Sequence, residues 1–290
     1  MKRPLHASED GGSQKLTPHI AEMIEAQAYI DWINSAPEEL FTGFRAYTGK
    51  IGASTPIFTI PRVDWYTPNR VMGFGLFEPA TGGMLDEIIS LCKSRTPYRF
   101  FVPLCPETTP GNNVIRAWLG ENGFRPYKPW VKLYRDSKPL SKNDREPQCE
   151  FEIKRIDHRH AREFAETVIA GFGYPRAFEP WLELQVGLQG WSQYLAFEGD
   201  WPVASGALFV KHGIGYLGLG STLPSHRRKG AQEAIMRRRV HDGISSGQCK
   251  WFVTETHMET QTEPNPSYHN MLRTGFELAY VRENYVRSFA

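Results

Sequence analysis

Hydrophobic positions along this chain change period repeatedly, and the changes divide it into short strands and amphipathic helices. Thr17-Pro18 places an N-cap before a proline at the first helical position, and Ile20, Met23, Ile24 and Ala28 follow at helical spacing. Residues 41–60 are aromatic and β-branched and are broken at Thr48-Gly49-Lys50, which predicts strands joined by a turn there. Strands are predicted over 71–77, 98–104 and 130–134, with helices over 84–92 and 113–122. Residues 136–149 are polar and hold two prolines, the pattern of a linker, and residues 1–15 have the polar composition of a mobile tail.

After the linker the alternation starts again. A strand over 150–155 leads to a helix over 159–170 and an aromatic stretch, 174–188, with a short helix in it. Residues 194–198 and 203–210 form a predicted hairpin turning at Gly199-Asp200. A Gly-interleaved strand follows at 216–219, then a helix from Ala231 to about 242 and a strand over 251–255. A helix from Ser267 ends at Gly275-Phe276, and a last strand spans 280–286. The halves also parallel each other: GFGLFEPATGGMLDEII matches the pattern of GYLGLGSTLPSHRRKGAQEAI, and WLGENGF that of MLRTGF.

Composition narrows the reading. A net charge of +2 gives no global basic face for nucleic acid. Four scattered cysteines without a C-x-x-C read as reduced thiols, not as a disulfide frame or zinc site. No apolar run reaches the length of a membrane span, and the N-terminus lacks a signal core, so the expectation is a soluble, cytoplasmic protein that uses no metal.

The candidate chemistry lies between the strand at 216–219 and the helix from Ala231. Pro224 stops the ladder, and Ser225-His226-Arg227-Arg228-Lys229-Gly230 forms a basic turn. A helix N-terminus offers unpaired N–H groups and a positive dipole end, and glycine permits close backbone approach, so a phosphate or pyrophosphate is the expected ligand. The spacing Pro224-x-x-Arg227-x-x-Gly230-x-x-x-Ala234 is similar to the acyl-CoA pyrophosphate loop of the GCN5-related N-acetyltransferase family, with Gln232 at a position usually occupied by Gly or Ala. The hairpin around Gly199-Asp200 and the run Asn265-Pro266-Ser267-Tyr268 with Gly275-Phe276 extend the resemblance over residues 150–290. The internal parallel makes residues 16–135 a second, degenerate copy, without cations in Pro79–Met84. The expected fold is therefore α/β (α+β): two tandem acetyltransferase-like domains, each a mixed, mainly antiparallel sheet flanked by helices.

The resemblance implies acetyl-CoA as acyl donor, no metal, and direct attack by a primary amine of a small molecule or protein. It places the phosphates on Arg227, Arg228, Lys229, Gly230, Ala231 and Gln232, and the pantetheine and thioester along Gly220, Ser221, Thr222 and Leu223, with Asn265 beside them. Glu255, ending the next strand, is the candidate base, with His257 and Glu259 behind it. The family's tyrosine acid position holds Met271, so Tyr268 is the candidate acid. Tyr174, Phe178 and Trp181 are candidate acceptor contacts, with core packing as the competing reading. The alternative function is a non-catalytic CoA or acyl-CoA binder, for which the Met271 and Gln232 departures argue. A transferase using aminoacyl-tRNA also fits duplicated domains of this kind, but it requires the basic face that the charge balance does not provide.

Overall fold

The computed structural model describes residues 16–64, 66–140 and 149–289. The predicted tail and most of the predicted linker lie outside them. In the first half, α1 (Pro18–Asn34) and α2 (Glu38–Gly43) precede β1 (Tyr47–Ile51), β2 (Thr55–Thr59), β3 (Arg70–Val71), α3 (Gly82–Arg95), β4 (Arg99–Leu104), α4 (Asn112–Glu121) and β5 (Arg125–Asp136). The second half has β6 (Glu152–Ile156), α5 (Ala161–Phe172), α6 (Glu179–Leu184), β7 (Trp191–Glu198), β8 (Trp201–Lys211) and β9 (Ile214–Thr222). It ends with α7 (Ala231–Ser245), β10 (Trp251–His257), α8 (Pro266–Arg273) and β11 (Glu277–Ser288).

All the strands join in one sheet, ordered β1-β2-β3-β4-β11-β5-β10-β9-β8-β7-β6. The last strand of each half crosses to the other: β11 pairs with β4, and β5 pairs with β10. The pairings β3–β4 and β9–β10 are parallel, and the other neighbours are antiparallel. Those two parallel pairs occupy equivalent places in the two halves.

Alternation along the strands sends successive side chains to opposite faces. Phe209, Tyr216 and Val253 pack under α1, α5 and α6, while their neighbours Leu208, Leu217 and Phe252 pack under α7 and α8. Ile57, Phe100 and Val102 likewise pack under α3 and α4. Helices thus cover both faces.

Three local expectations are corrected. The first hairpin turns at Gly52 (φ +62), not at residues 48–50, which lie within β1. The strand expected over 71–77 is limited to Arg70–Val71, because Gly73 (φ +67) and Gly75 (φ +77) take left-handed backbone that cannot continue a ladder. The short helix α2 lies where strand was expected.

The Gly-Phe ends of α4 and α8 are matched Schellman caps. Gly123 and Gly275 both have φ +79, and the N–H of Phe124 and Phe276 donate to Leu119 O (2.9 Å) and Met271 O (3.1 Å). Met271 is buried in the same cluster as Phe276, so this position serves the core.

Candidate functional site

The site begins where β9 leaves β10. Their parallel register runs from Ile214–Trp251 to Leu217–Thr254, and Thr254 Oγ1 closes it by donating to Leu217 O at 3.1 Å. Beyond that point β9 continues to Thr222 and β10 to His257 without pairing to each other. The diverging backbones form a wedge with unpaired strand edges. On its other side β9 carries a bulge: Ala207 opposes Gly218 and Ser205 opposes Ser221, so Leu219 and Gly220 share one partner position, and Leu219 takes φ +49.

Arg239 and the Ser205–Ser221 pair support that bulge. Arg239 of α7, buried, donates to Ala207 O (2.9 Å) and Gly218 O (3.0 Å). Burial lowers its pKa to about 10. A Cβ on Gly206 would stand 2.6 Å from Ile235 and 3.0 Å from the Arg239 guanidinium, which requires glycine there. Ser221 is fixed by Ser205 Oγ at 2.8 Å and donates to Thr167 O of α5 at 3.3 Å. Gly171 admits this approach, since a Cβ there would lie 2.4 Å from Ser221 Oγ.

The wedge opens onto the basic turn. Arg227 and Arg228 are exposed, Arg228 at φ +64, and Arg227 Nε donates to Thr222 O at 3.3 Å. Gly230 (φ +83) starts α7 without a side-chain cap, so the first N–H groups of that helix have no side-chain acceptor. The equivalent helix of the first half differs: Thr81 Oγ1 caps α3 by accepting from Met84 N at 3.2 Å. The geometry around Arg227, Arg228 and the open end of α7 suits an anionic group.

Other predicted site residues have internal partners. Lys229 faces Glu198 at 3.6 Å, and His226 Nε2 meets the same carboxylate at 3.2 Å. Gln232 bridges α7 to α8 by donating to Ser267 Oγ (2.8 Å) and accepting from Asn270 (2.6 Å). Asn265 is the N-cap of α8: its Oδ1 accepts from Ser267 N and Tyr268 N, while Nδ2 donates to Thr256 Oγ1 (2.9 Å) and His257 O (2.6 Å). Its amide is fully engaged in placing α8 beside β10. Tyr268 is half-buried against the α7–α8 core, and its hydroxyl makes no hydrogen bond among the described residues. Glu259 accepts from His269 at 2.9 Å.

Phe178 and Trp181 are core residues. Trp181 and Trp32 of α1 exchange bonds from each indole N–H to the other's carbonyl (3.2 and 3.4 Å), and Phe178 packs edge-on to Trp32 at 5.5 Å. Tyr174 lies against Phe172 and Phe178 in the same cluster. These rings join α6 to α1 across the two halves.

Glu255 lies in a buried ionic cluster that sequence reasoning did not assemble. Glu22 and Glu25 of α1, with Glu255 of β10, meet Arg70 (β3), Lys132 (β5) and Arg282 (β11). Arg282 Nη1 lies 3.0 Å from Glu22 and 2.8 Å from Glu25, its Nη2 bonds Glu255, and Lys132 Nζ lies 3.0 Å from Glu255. Tyr280 donates to Glu22 at 2.6 Å. The three carboxylates and three cations cancel. Burial raises the carboxyl of Glu25, but the charges of Arg282, Arg70 and Lys132 outweigh it and hold that carboxyl well below the ordinary range. For Glu255 burial prevails over Arg282, and its carboxyl is raised. Glu255 alone among the three carboxylates keeps an exposed edge, 5% of its side chain. The sequence signal was present but faint: Lys132 sits between the apolar Val131 and Leu133, Arg282 follows Tyr280-Val281, and Glu22 and Glu25 share the buried face of α1.

The sequence matches no family model and no curated protein. Solved structures match over nearly the whole chain. A GCN5-related N-acetyltransferase from Sphaerobacter thermophilus superimposes with a TM-score of 0.59 at 14% identity, over 94% of this chain and 92% of that one. One from Kribbella flavida gives 0.59 at 14%, over 93% and 96%. A tandem GNAT protein from the clavulanic acid biosynthesis pathway gives 0.56 at 11%, over 91% and 95%. The continuous sheet, the splayed parallel pair and these superpositions together give the chain the fold of the GCN5-related N-acetyltransferase superfamily.

Proposed function

We propose that this protein is an acetyl-CoA-dependent N-acetyltransferase whose donor site is the wedge between β9 and β10 together with the basic turn before α7. The observation that carries this reading is the union of the β9 edge that leaves β10 with the uncapped N-terminus of α7, where the equivalent helix α3 is capped by Thr81. Arg227, Arg228 and the open N–H groups of α7 would hold the pyrophosphate, and the bulged backbone from Gly220 to Leu223 would hold the pantetheine arm. In the first half Thr81 occupies the corresponding helix end and residues 79–84 hold no Lys or Arg, so that half binds donor poorly. When bound, acetyl-CoA supplies an activated acyl thioester. Glu255, with its raised carboxyl and exposed edge, takes the proton that the attacking primary amine loses as its C–N bond forms. Tyr268, its hydroxyl free, returns a proton to the departing sulfur as the C–S bond breaks.

A second reading has one observation in its favour. Glu255 is bonded to Lys132 and Arg282, as a structural carboxylate would be, and that arrangement suits a non-catalytic acyl-CoA binder. Calorimetric titration of acetyl-CoA and CoA tests the shared premise. Each phosphate contact from an arginine is worth about 1.5–3 kcal/mol, so Arg227→Ala/Arg228→Ala should weaken binding by at least about a hundredfold. No binding to the wild type sinks both readings. Thiol release that depends on an added amine, and is lost in Glu255→Gln, separates the enzyme from the binder.

A further inference from the structure

A narrow space lies between α1 and the bulged end of β9. Tyr29 and Trp32 of α1, Gln185 after α6, Trp191 at the start of β7, and Tyr216 and Leu219 of β9 line it. No charged side chain belongs to its wall, and its volume of about 10 Å³ is room for a single water and nothing larger. Two polar atoms of these residues, Gln185 Oε1 and Trp191 Nε1, are buried and have no hydrogen-bond partner in the protein. Gln185 is 1% exposed and Trp191 8%. Both residues are held in place. The Trp191 indole packs on Phe209 with ring centroids 4.9 Å apart, and the Gln185 carbonyl accepts from Gln193 Nε2 at 2.7 Å.

We propose that one ordered water occupies this space as a fixed part of the fold, donating to Gln185 Oε1 and accepting from the indole N–H of Trp191. A buried donor or acceptor left unpaired bears its full desolvation cost. A space lined by polar atoms therefore takes up water, where an apolar one of the same size stays dry. Water suits both atoms because it donates and accepts at once, and it brings no charge into a wall that offers none to balance it. Its position gives it a structural task. Arg239 supports the β9 bulge from the α7 side of the sheet, and the water stands on the other side, between Leu219 and α1.

The test combines a high-resolution crystal structure of the full-length protein with thermal melting of Gln185→Met, Trp191→Phe and the double variant. We expect density for one water at about 2.7–3.2 Å from both atoms. Each single substitution takes one partner from the water and leaves the other atom poorly paired, which should lower the melting temperature by about 2–6 °C. Removing both partners leaves nothing unpaired, so the double variant should melt no lower than the less stable single variant. A site without density in the wild type, or a direct bond between Gln185 and Trp191, overturns the inference. So do unchanged melting in both single variants and a double variant whose shift is the sum of the two.

Discussion

Arg282→Met tests whether the buried cluster acts as one electrostatic unit. Arg282 is fully buried and bonds Glu22, Glu25 and Glu255, with a further bond to Tyr66 Oη at 3.0 Å. Its removal leaves three carboxylates facing two cations inside the buried cluster. Breaking a buried pair by removing one partner costs about 3–5 kcal/mol. For a chain of this size that lowers the melting temperature by about 6–10 °C, taking about 2 °C per kcal/mol. The charge imbalance also predicts a rescue. Glu25→Gln leaves the opposite imbalance, and the double substitution leaves two charges of each sign, so its cost should fall short of the summed single costs by about 2 kcal/mol. The deficit of Arg282→Met should shrink between pH 8 and pH 5, because protonating one carboxyl restores neutrality, and Glu255, already raised by burial, is the first to do so. Urea unfolding of the four proteins at both pH values measures these quantities. A single-variant cost under about 1 kcal/mol, or additivity within about 0.5 kcal/mol, would show that the six charges do not act together.

Other outcomes follow from single sites. Asn265→Ala removes both the cap of α8 and the ties to Thr256 and His257, and should cost about 2 kcal/mol by thermal melting, with acyl-CoA affinity falling alongside it as α8 loosens. The N–H groups of Ser54 and Ala53, in that order, hold the carboxyl of Glu78 down at about 2. A folded value below the unfolded one of about 4.3 gives stability that is present above that pH and lost as the pH falls toward 2. Melting temperatures at pH 6 and pH 3 should therefore differ more in wild type than in Glu78→Gln; equal differences would show that the bonds from residues 53–55 contribute nothing.

Local physics made much of this protein legible in its sequence. The N-cap Thr17-Pro18, the hairpin at Gly199-Asp200, the basic turn before Ala231 and the Gly-Phe helix ends are short-range features, each set by backbone propensities within a few residues. The repeated pattern of the halves followed from the same features. Contacts distant in sequence were decided only by tertiary structure. Periodicity marks β5 and β11 as strands but does not state their neighbours, so the exchange that places each in the other half was invisible. That exchange brings Lys132 and Arg282 to Glu255, and α1 adds Glu22 and Glu25 from more than two hundred residues away. It was the pairing of α1 with α6 that committed Phe178 and Trp181 to the core, and the same helix that closed the cavity around Gln185 and Trp191. Burial depends on what the folded chain brings against a residue, and for these residues the partners come from the other half.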